Sequence, residues 1–474
     1  MQQLSGADSL FLAIESRVTP MNVGGLVTLD TTEARDFGFE QVRDLFLRRL
    51  GRVPKYTWRL EEVPFKLDRP FWTEGDLDID EHVGRIEVDP PAGPREVAAA
   101  VRQVISYRLD RDRPLWKLWY LDGLADGTAA VYTTYHHCLM DGASGATLGH
   151  VMLDLEPDPA LDGPDELAAP AGPGGRESSG LEHVLGGGMH LLTTPVKAAR
   201  FAGGLARRAA DLTPGVLRNG VPKAVRSRAP RTSFNRAVGE DRAMAFSSIS
   251  LGDVKAVRRK LDVTVNDVLV ALCSAALERY LREIGERVPG RPFAISVPIS
   301  MRAPDDVELT NRVASLMVSV PTGVDPIERV QAVSGETTRG KEIARRYRTR
   351  LPSVGELIPP FAWSFGVRAV KPFFPLVPVI TNTIVSTIQG APFPLYVAGA
   401  RVTGTFPTSM VLMNMGVNFT SVSSDGHVDV GVTVDSNLVP DPWLVADAIP
   451  AELEVLMHAA GLGDPERIPL LGIA

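Results

Sequence analysis

Two adjacent histidines are the residues of this sequence best suited to chemistry, because imidazole can accept and return a proton near neutral pH. They are His136 and His137, and Asp141 and Gly142 follow them in the pattern His-His-x-x-x-Asp-Gly. A histidine at the end of a strand can project into a cleft, and an aspartate four residues later can fold back to brace the loop. Glycine allows a sharp backbone path into a following helix. The pattern therefore predicts a general base, with a structural role for Asp141.

Other interpretations of this motif use the same residues differently. The histidines could simply end a strand, with Asp141 capping the next helix in an Asp-Gly turn. A metal site needs further ligands, and the sequence shows no additional cluster of His and Cys. Cys138 could be a nucleophile, although neighbouring residues of a strand face opposite ways. The Gly-x-Ser-x-Gly pattern of an α/β-hydrolase nucleophile is absent from the sequence.

The elements that position the motif can be predicted from periodicity. Apolar residues at three- and four-residue spacing predict a helix over Pro94–Leu109, with proline near its start. Alternation predicts strands over Leu115–Leu121 and Ala129–His137, joined as a hairpin through an Asp-Gly turn. A helix is expected to begin just after Gly142. The two histidines are therefore expected where a strand ends and a short loop leads into a helix.

Composition predicts a soluble globular chain of more than one domain. The chain has 474 residues, of which 44% are hydrophobic and 23% are charged, and domains commonly span about 100–200 residues. Residues Glu156–Gly188 are rich in Pro, Gly and Ala, which is typical of a linker, and a basic segment follows at Met189–Arg231. We therefore expect an N-terminal half at 1–155, a linker and basic crossover at 156–231, and a C-terminal half at 232–474.

Several functional classes are disfavoured by the composition. Two cysteines, Cys138 and Cys273, provide no disulfide framework and suggest a reducing compartment. No basic, apolar N-terminal signal is visible, and no run resembles the roughly 20 apolar residues of a membrane span. The net charge of −7 argues against nucleic acid as the main partner. The expected location is therefore the cytoplasm.

An ordered set of sequence blocks resembles the bacterial wax ester synthase/acyl-CoA:diacylglycerol acyltransferase family over nearly the full length. The motif alone is less specific, because condensation domains and polyketide-associated acyltransferases also carry it. Two blocks depart from the family pattern: Asn22 stands where His is usual, and Ser386–Pro392 is a looser version of Ser-Asn-Val-Pro-Gly-Pro. The blocks are LSGADSLFLAIESRVTPMNVGG, Asp112–Trp116, HHCLMDG, Thr264–Val268, Pro298-x-Ser300-x-Arg302 with Asn311, and Pro394-Leu395-Tyr396 with Gly399.

The resemblance implies both a fold and a reaction. The implied fold is α/β, with two chloramphenicol-acetyltransferase-like halves, mixed sheets and a tunnel at their junction. His137 would be the general base that takes the proton of an alcohol, and the alkoxide would attack an acyl-CoA thioester. The products would be triacylglycerol from diacylglycerol, wax esters from long-chain alcohols, or both. Acyl-CoA and a lipid alcohol are then substrates, and no cofactor or metal is expected.

Three further residues have expected roles. Thr264 and Asp267 have the spacing of a capping box, which predicts that Asp267 caps the start of a helix. Asn266 is the better functional candidate, because an amide beside a cleft can bind a carbonyl or an oxyanion. Arg302 is the candidate ion-pair partner of Asp141.

Peripheral contact with a membrane or a lipid droplet is expected, because the implied substrates dissolve in lipid. The basic segment Met189–Arg231 and the aromatic segment Pro359–Phe374 are the candidate contacts, although each could instead pack on the protein body. Two alternative functions remain open. One is a condensation-type or polyketide-associated acyltransferase that uses a carrier-protein donor, and the other is a non-catalytic lipid-droplet binding protein.

Overall fold

A computed structural model describes residues 2–64, 68–125, 127–139, 153–157, 229–300, 313–346 and 379–472. In chain order the strands are β1 (Gln2–Gln3), β2 (Asn22–Asp30), β3 (Trp58–Glu61), β4 (Phe71–Glu74), β5 (Val83–Ala92), β6 (Trp116–Leu124), β7 (Thr128–His136), β8 (Arg242–Ser250), β9 (Phe293–Ser300), β10 (Val313–Val320), β11 (Thr383–Gln389), β12 (Tyr396–Val397), β13 (Ala400–Thr408), β14 (Val417–Ser424) and β15 (His427–Asp435).

The helices within these ranges flank the strands. They are α1 (Gly6–Ile14), α2 (Phe39–Arg49), α3 (Ile79–His82), α4 (Pro94–Ile105), α5 (Leu251–Leu261), α6 (Val265–Glu283), α7 (Pro326–Arg346), α8 (Trp443–Ala446) and α9 (Ala448–Ala459). None of the described helices combines the length and apolar character needed to cross a membrane.

The strands form two large mixed sheets and one small sheet. The first large sheet has the order β12-β13-β2-β7-β6-β5, and the second has the order β10-β9-β11-β14-β15-β8. Neighbours are antiparallel except for β5 with β6 in the first sheet and β11 with both β9 and β14 in the second. Strands β1, β4 and β3 form the small sheet. The expected α/β fold with two mixed sheets is confirmed.

The predicted hairpin before the histidines is present. Strands β6 and β7 pair antiparallel, with Trp116 opposite Tyr135, and Gly127 adopts a φ of 79° in the connecting turn. Helix α4 begins at Pro94 as expected, but it ends at Ile105 rather than at Leu109. The backbone leaves the helical path there because tertiary partners bind the polar groups that a longer helix would use. The Tyr107 carbonyl, for example, accepts a hydrogen bond from Nδ2 of Asn22.

Two apolar cores lie on the two faces of the first sheet. Side chains such as Leu26 and Tyr132 pack into a core shared with the second sheet and with α6, whereas Leu29 and Val131 pack toward α2 and the small sheet. Both faces of this sheet are covered along β2 and β7, so side chains that point to opposite sides of the same strand are buried. The sheet that carries the histidines is therefore fixed from both sides.

The C-terminal part of the chain contributes a strand to the first sheet. Strand β13 pairs antiparallel with β2, with Thr405 opposite Val27. Beyond its short pairing with β12, strand β13 meets the second sheet, where the Thr405 N–H donates to the Asp429 carboxylate at 2.8 Å and the Ser409 N–H donates to Thr433 Oγ1 at 3.2 Å. The boundaries expected at 155 and 232 therefore do not divide the sheets, because pairing with β2 places β13 in the first one.

Candidate active site

The backbone N–H groups of both histidines are hydrogen-bonded to two different segments. The His136 N–H donates to the Leu115 carbonyl at 2.9 Å, and the His137 N–H donates to the Met21 carbonyl at 2.8 Å. Leu115 belongs to the Asp112–Trp116 block, and Met21 belongs to the block that opens the sequence. These two blocks therefore position the backbone where β7 ends.

His136 is buried and is held as a neutral imidazole. Its side chain is 1% exposed, and its Nδ1 accepts a hydrogen bond from the Cys138 N–H at 3.1 Å. Because Nδ1 is an acceptor, the ring proton lies on Nε2. Burial lowers the pKa of His136 to about 3, and the positive charge of Arg111 acts in the same direction. A ring with so low a pKa is a poor proton acceptor at neutral pH.

A buried carboxylate lies beside His136. Oε1 of Glu15 is 3.6 Å from Nε2 of His136, and Oε2 of Glu15 accepts a hydrogen bond of 2.6 Å from Arg111. The same guanidinium donates to the Leu12 carbonyl at 2.9 Å and to Glu62 at 3.2 Å. This arrangement provides the negative charge of Glu15 with a fixed cationic partner and keeps it next to the ring of His136.

His137 lies in a different environment from its neighbour. Its side chain is half-buried, and its ring stacks on Phe11 of α1 with the two centroids 4.1 Å apart and the planes 21° from parallel. Stacking restricts the rotation of the imidazole while leaving it partly accessible. Of the two rings, His137 is therefore the more exposed one.

Cys138 does not have the environment of a nucleophile. Its side chain is 1% exposed, and burial raises the pKa of its thiol well above the ordinary value. A thiol in an apolar interior stays protonated and inert. The geometry therefore opposes the interpretation of Cys138 as a nucleophile.

Asn22 lies opposite His136 in the pairing of β2 with β7. Its Nδ2 donates to the Tyr107 carbonyl at 2.5 Å, and the residue is 8% exposed. Residues directly opposite each other in an antiparallel pair place their side chains on the same face of the sheet. Asn22, which replaces the usual His of the family, therefore makes a buried structural contact on the face of the sheet that carries the His136 side chain.

Asn266 and Asp267 lie in the first turn of α6. The predicted capping box is present, because the Asp267 N–H donates to Thr264 Oγ1 at 3.2 Å and the Thr264 N–H donates to Asp267 Oδ2 at 2.9 Å. Asp267 also accepts a bond of 2.7 Å from Thr337 of α7 and is 1% exposed. Asn266 is half-buried, and within the described residues no hydrogen bond or ion pair joins it to either histidine.

Three of the expected site residues lie outside the described residues, namely Asp141, Gly142 and Arg302. The helix expected after Gly142, most of the basic segment Met189–Arg231 and the whole aromatic segment Pro359–Phe374 also fall there. Their roles, like the tunnel that the resemblance implies, stay predictions.

One group with the spacing of metal ligands occurs in the part of the chain that the structure describes. Glu454, His458 and Asp464 are all exposed and have ligand atoms within 4.8 Å of one another. His458 Nε2 is already 2.6 Å from Asp464 Oδ1, so a hydrogen bond accounts for the proximity of these two side chains.

Glu15 and Arg111 are the residues at this site that the sequence did not single out. Glu15 ends an apolar stretch within the opening block, and Arg111 directly precedes the Asp112–Trp116 block. The available signals were a single acidic residue beside apolar residues and an arginine immediately before the Asp112–Trp116 block. Their pairing could not be predicted, because 96 positions separate them in the sequence.

Comparison with protein families identifies close similarity over both halves of the chain. Residues 4–269 match the model of the wax ester synthase/diacylglycerol acyltransferase catalytic domain, and residues 309–457 match that of the WS/DGAT C-terminal domain. A putative diacylglycerol O-acyltransferase of Mycobacterium tuberculosis is 31% identical, covering 97% of this chain and 91% of the relative. A probable diacylglycerol O-acyltransferase of the same organism is 32% identical, covering 96% of this chain and 98% of the relative.

Solved structures show the same fold. A wax ester synthase/diacylglycerol acyltransferase from Marinobacter aquaeolei VT8 superposes with a TM-score of 0.68 at 24% identity, covering 97% of this chain and all of that one. The starter condensation domain of rhizomide synthetase, in a complex with C8-CoA and Leu-SNAC, superposes with a TM-score of 0.53 at 14% identity, covering 98% of this chain and 95% of that one. At these identities the likeness concerns the fold.

Proposed function

The chain belongs to the wax ester synthase/diacylglycerol acyltransferase family, and on this premise we propose that it transfers an acyl group from acyl-CoA to a lipid alcohol. Family membership confirms the resemblance and the acyltransferase class that the sequence blocks predicted. The proposed acceptors are diacylglycerol, which would give triacylglycerol, and long-chain alcohols, which would give wax esters.

The contrast between the two histidine side chains supports a general-base mechanism at His137. His136 has its Nδ1 lone pair engaged by the Cys138 N–H and is buried, whereas the half-buried ring of His137 rests on Phe11. A base must be reachable by the proton that it accepts and must have a pKa suited to the operating pH. The greater exposure of His137 supports its assignment as the base, and the low pKa of His136 makes that ring a poor base.

The proposed reaction moves one proton and one acyl group. The acceptor hydroxyl gives its proton to the imidazole of His137, and its oxygen forms a bond to the carbonyl carbon of the thioester. The carbon–sulfur bond then breaks, and the CoA thiolate takes the proton back from the imidazolium. No acyl-enzyme is needed, because a thiol with a pKa of about 8.5 is a good leaving group. Asn266 is proposed to bind a carbonyl or an oxyanion, and Asp141, paired with Arg302, is proposed to brace the loop.

An acceptor panel tests the proposed reaction. Purified protein is incubated with labelled palmitoyl-CoA and either dioleoylglycerol or hexadecanol, and both labelled lipid and free CoA are measured. We expect lipid product from at least one acceptor. The rate should fall in His137→Ala by more than the roughly 10²–10⁴-fold that is typical of losing a general base, and it should fall less in His136→Ala. Cys138→Ala is the matched control, because it alters the neighbouring position and should keep its activity.

The same panel separates the alternative functions. A condensation-type enzyme would make no lipid from acyl-CoA and would accept the acyl group from a carrier protein. A non-catalytic lipid-droplet binding protein would release no CoA above a boiled sample. Either result, or full activity in His137→Ala, would overturn the proposed function.

Peripheral binding to a membrane or a lipid droplet is also proposed, because the acceptors and products are barely soluble in water. Each Lys or Arg near an anionic surface contributes about 1 kcal/mol, and salt screens this attraction. Binding through Met189–Arg231 should therefore weaken at high salt, whereas insertion of aromatic residues from Pro359–Phe374 should not. Flotation with anionic liposomes at low and high salt distinguishes the two contacts. Protein that stays in the soluble fraction at low salt would contradict the proposal.

A further inference from the structure

One short turn between α1 and β2 contacts both histidines. At its beginning Glu15 lies 3.6 Å from Nε2 of His136, and at its end the Met21 carbonyl accepts the His137 N–H at 2.8 Å. Between them, Ser16 and Thr19 exchange two backbone hydrogen bonds of 3.1 Å. The turn of residues 15–21 is therefore tight, with Val18 at its tip.

The tip of this turn is held by an arginine from the second sheet. Arg242 is the first residue of β8 and is 3% exposed. Its Nη2 donates to the Val18 carbonyl at 2.6 Å, across 224 positions of sequence. Its backbone N–H donates at 3.0 Å to the hydroxyl of Ser106, which directly follows α4. Arg242 thus binds two N-terminal segments at once, namely the turn at Val18 and the end of α4 at Ser106.

The guanidinium is oriented by a buried carboxylate. Nη1 of Arg242 lies 3.3 Å from Oδ2 of Asp435, and the same nitrogen donates to the carbonyls of Gly239 and Asp241 at 2.9 and 3.1 Å. The Asp435 carboxylate is 0% exposed and accepts a further bond of 2.5 Å from the Gly239 N–H. A planar fork held on one side in this way presents its other nitrogen in a defined direction.

We propose that Arg242 is a positioning residue that sets the place of His137 through the turn of residues 15–21. The inference rests on the proposed function, because it concerns the side chain assigned there as the base. The second sheet would in this way determine the position of a group carried by the first. A displacement of about 1 Å at a reacting group can cost about 10²-fold in rate.

The test compares the same substitution at two arginines that join the two halves. Arg242→Lys keeps a positive charge beside Asp435, but an ammonium cannot reproduce the fork that reaches Val18. The matched control is Arg95→Lys, because Arg95 pairs at 3.1 Å with Asp447 of the other half and both side chains are more than half exposed. Exposed pairs contribute little to stability.

Two readouts distinguish positioning from a merely structural role. We expect kcat to fall about 10- to 100-fold in Arg242→Lys, with the KM for palmitoyl-CoA unchanged. We also expect the ring signal of His137 in a spectrum of histidine-labelled protein, assigned with His137→Ala, to shift in Arg242→Lys and to stay in place in Arg95→Lys. The spectrum needs no substrate, so it tests the inference even if the wild-type protein forms no lipid and the proposed function fails.

A second variant tests the inference in case Arg242→Lys fails to fold. In Ser106→Ala the backbone of Arg242 loses its acceptor beside α4, and the His137 signal should move in the same direction by a smaller amount. The inference is overturned if the folded Arg242→Lys variant keeps kcat and an unshifted His137 signal. It is also overturned if activity falls only in proportion to the fraction unfolded while the signal stays in place.

Discussion

The carboxylate of Glu15 lies 3.6 Å from Nε2 of His136, and both side chains are 1% exposed. Enclosure of this kind distinguishes His136 from the half-buried His137, although the two residues are adjacent in the sequence. His136 is enclosed between the Cys138 N–H on one nitrogen and the Glu15 carboxylate beside the other, while His137 lies on Phe11 and remains partly accessible. One imidazole is fully enclosed, and the other is half-buried against an aromatic ring.

We expect Glu15→Gln to lower both stability and activity. The substitution leaves the Arg111 guanidinium, which is only 22% exposed in the wild type, without its buried anionic partner. Breaking a buried pair from one side costs about 3 kcal/mol. Urea denaturation measures the loss of stability, and the kcat for lipid formation, measured on the folded fraction, should fall with it.

Glu62→Gln is the matched control for Glu15→Gln. Glu62 contacts the same guanidinium at 3.2 Å, but its side chain is 40% exposed. Exposed pairs contribute about 0–1 kcal/mol, so this variant should resemble the wild type. Equal losses from the two substitutions would show that burial of Glu15 is not what matters.

Asn22→His should keep most of the activity. The Asn22 side chain donates to the Tyr107 carbonyl, and an imidazole N–H can donate to the same acceptor. Asn22→Leu removes the donor and leaves a polar group unsatisfied, which costs about 1–3 kcal/mol. Thermal unfolding together with the acceptor panel checks both variants. A large loss of kcat in a stable Asn22→His protein would instead assign Asn22 a direct role in the reaction.

The junction between the sheets should respond to pH through Asp429. Burial raises the pKa of Asp429 from 3.8 to about 6, although it accepts hydrogen bonds from Ser248 and from the Thr405 N–H. Between these two values the folded state binds more protons than the unfolded state. The free energy of unfolding therefore decreases as pH rises through this window and then levels off.

Asp429→Asn should remove this part of the pH dependence. An amide can accept from the Thr405 N–H through its oxygen and donate to the Ser248 hydroxyl through its nitrogen, as a protonated carboxyl does. We expect Asp429→Asn to be more stable than the wild type at pH 7 and about equal to it at pH 4. Urea denaturation at both values measures the difference. Asp425→Asn is the control, because Asp425 pairs with the exposed Arg401, and it should leave the wild-type slope intact.

Gly431→Ala should destabilise the same junction. A Cβ at Gly431 on β15 would overlap the backbone carbonyl of Pro407 on β13, and neither backbone can move without disturbing its sheet. The expected cost is about 3 kcal/mol or more. In Gly463→Ala the added Cβ would meet no atom within 4 Å, so the change should stay within about 0.5 kcal/mol. Similar melting temperatures for the two variants would contradict the close contact of β13 with β15.

The sequence by itself determined the features that depend on neighbouring residues. The His-His-x-x-x-Asp-Gly motif, the hairpin that leads to it and the capping box at Thr264 and Asp267 follow from alternation, turn residues and spacing within a few positions. The ordered blocks also identified the family, because each block is a local string. The start of α4 at Pro94 belongs to the same class of signal.

Only the tertiary structure decided how distant segments meet. It paired β13 with β2, enclosed His136 while leaving His137 accessible, and brought Arg242 to the turn tip at Val18. These contacts join residues up to hundreds of positions apart, and a side chain's own sequence neighbours do not specify them. Adjacent histidines have the same chemistry in the sequence, and their difference arises from the burial and the hydrogen-bond partners that the packed sheets provide.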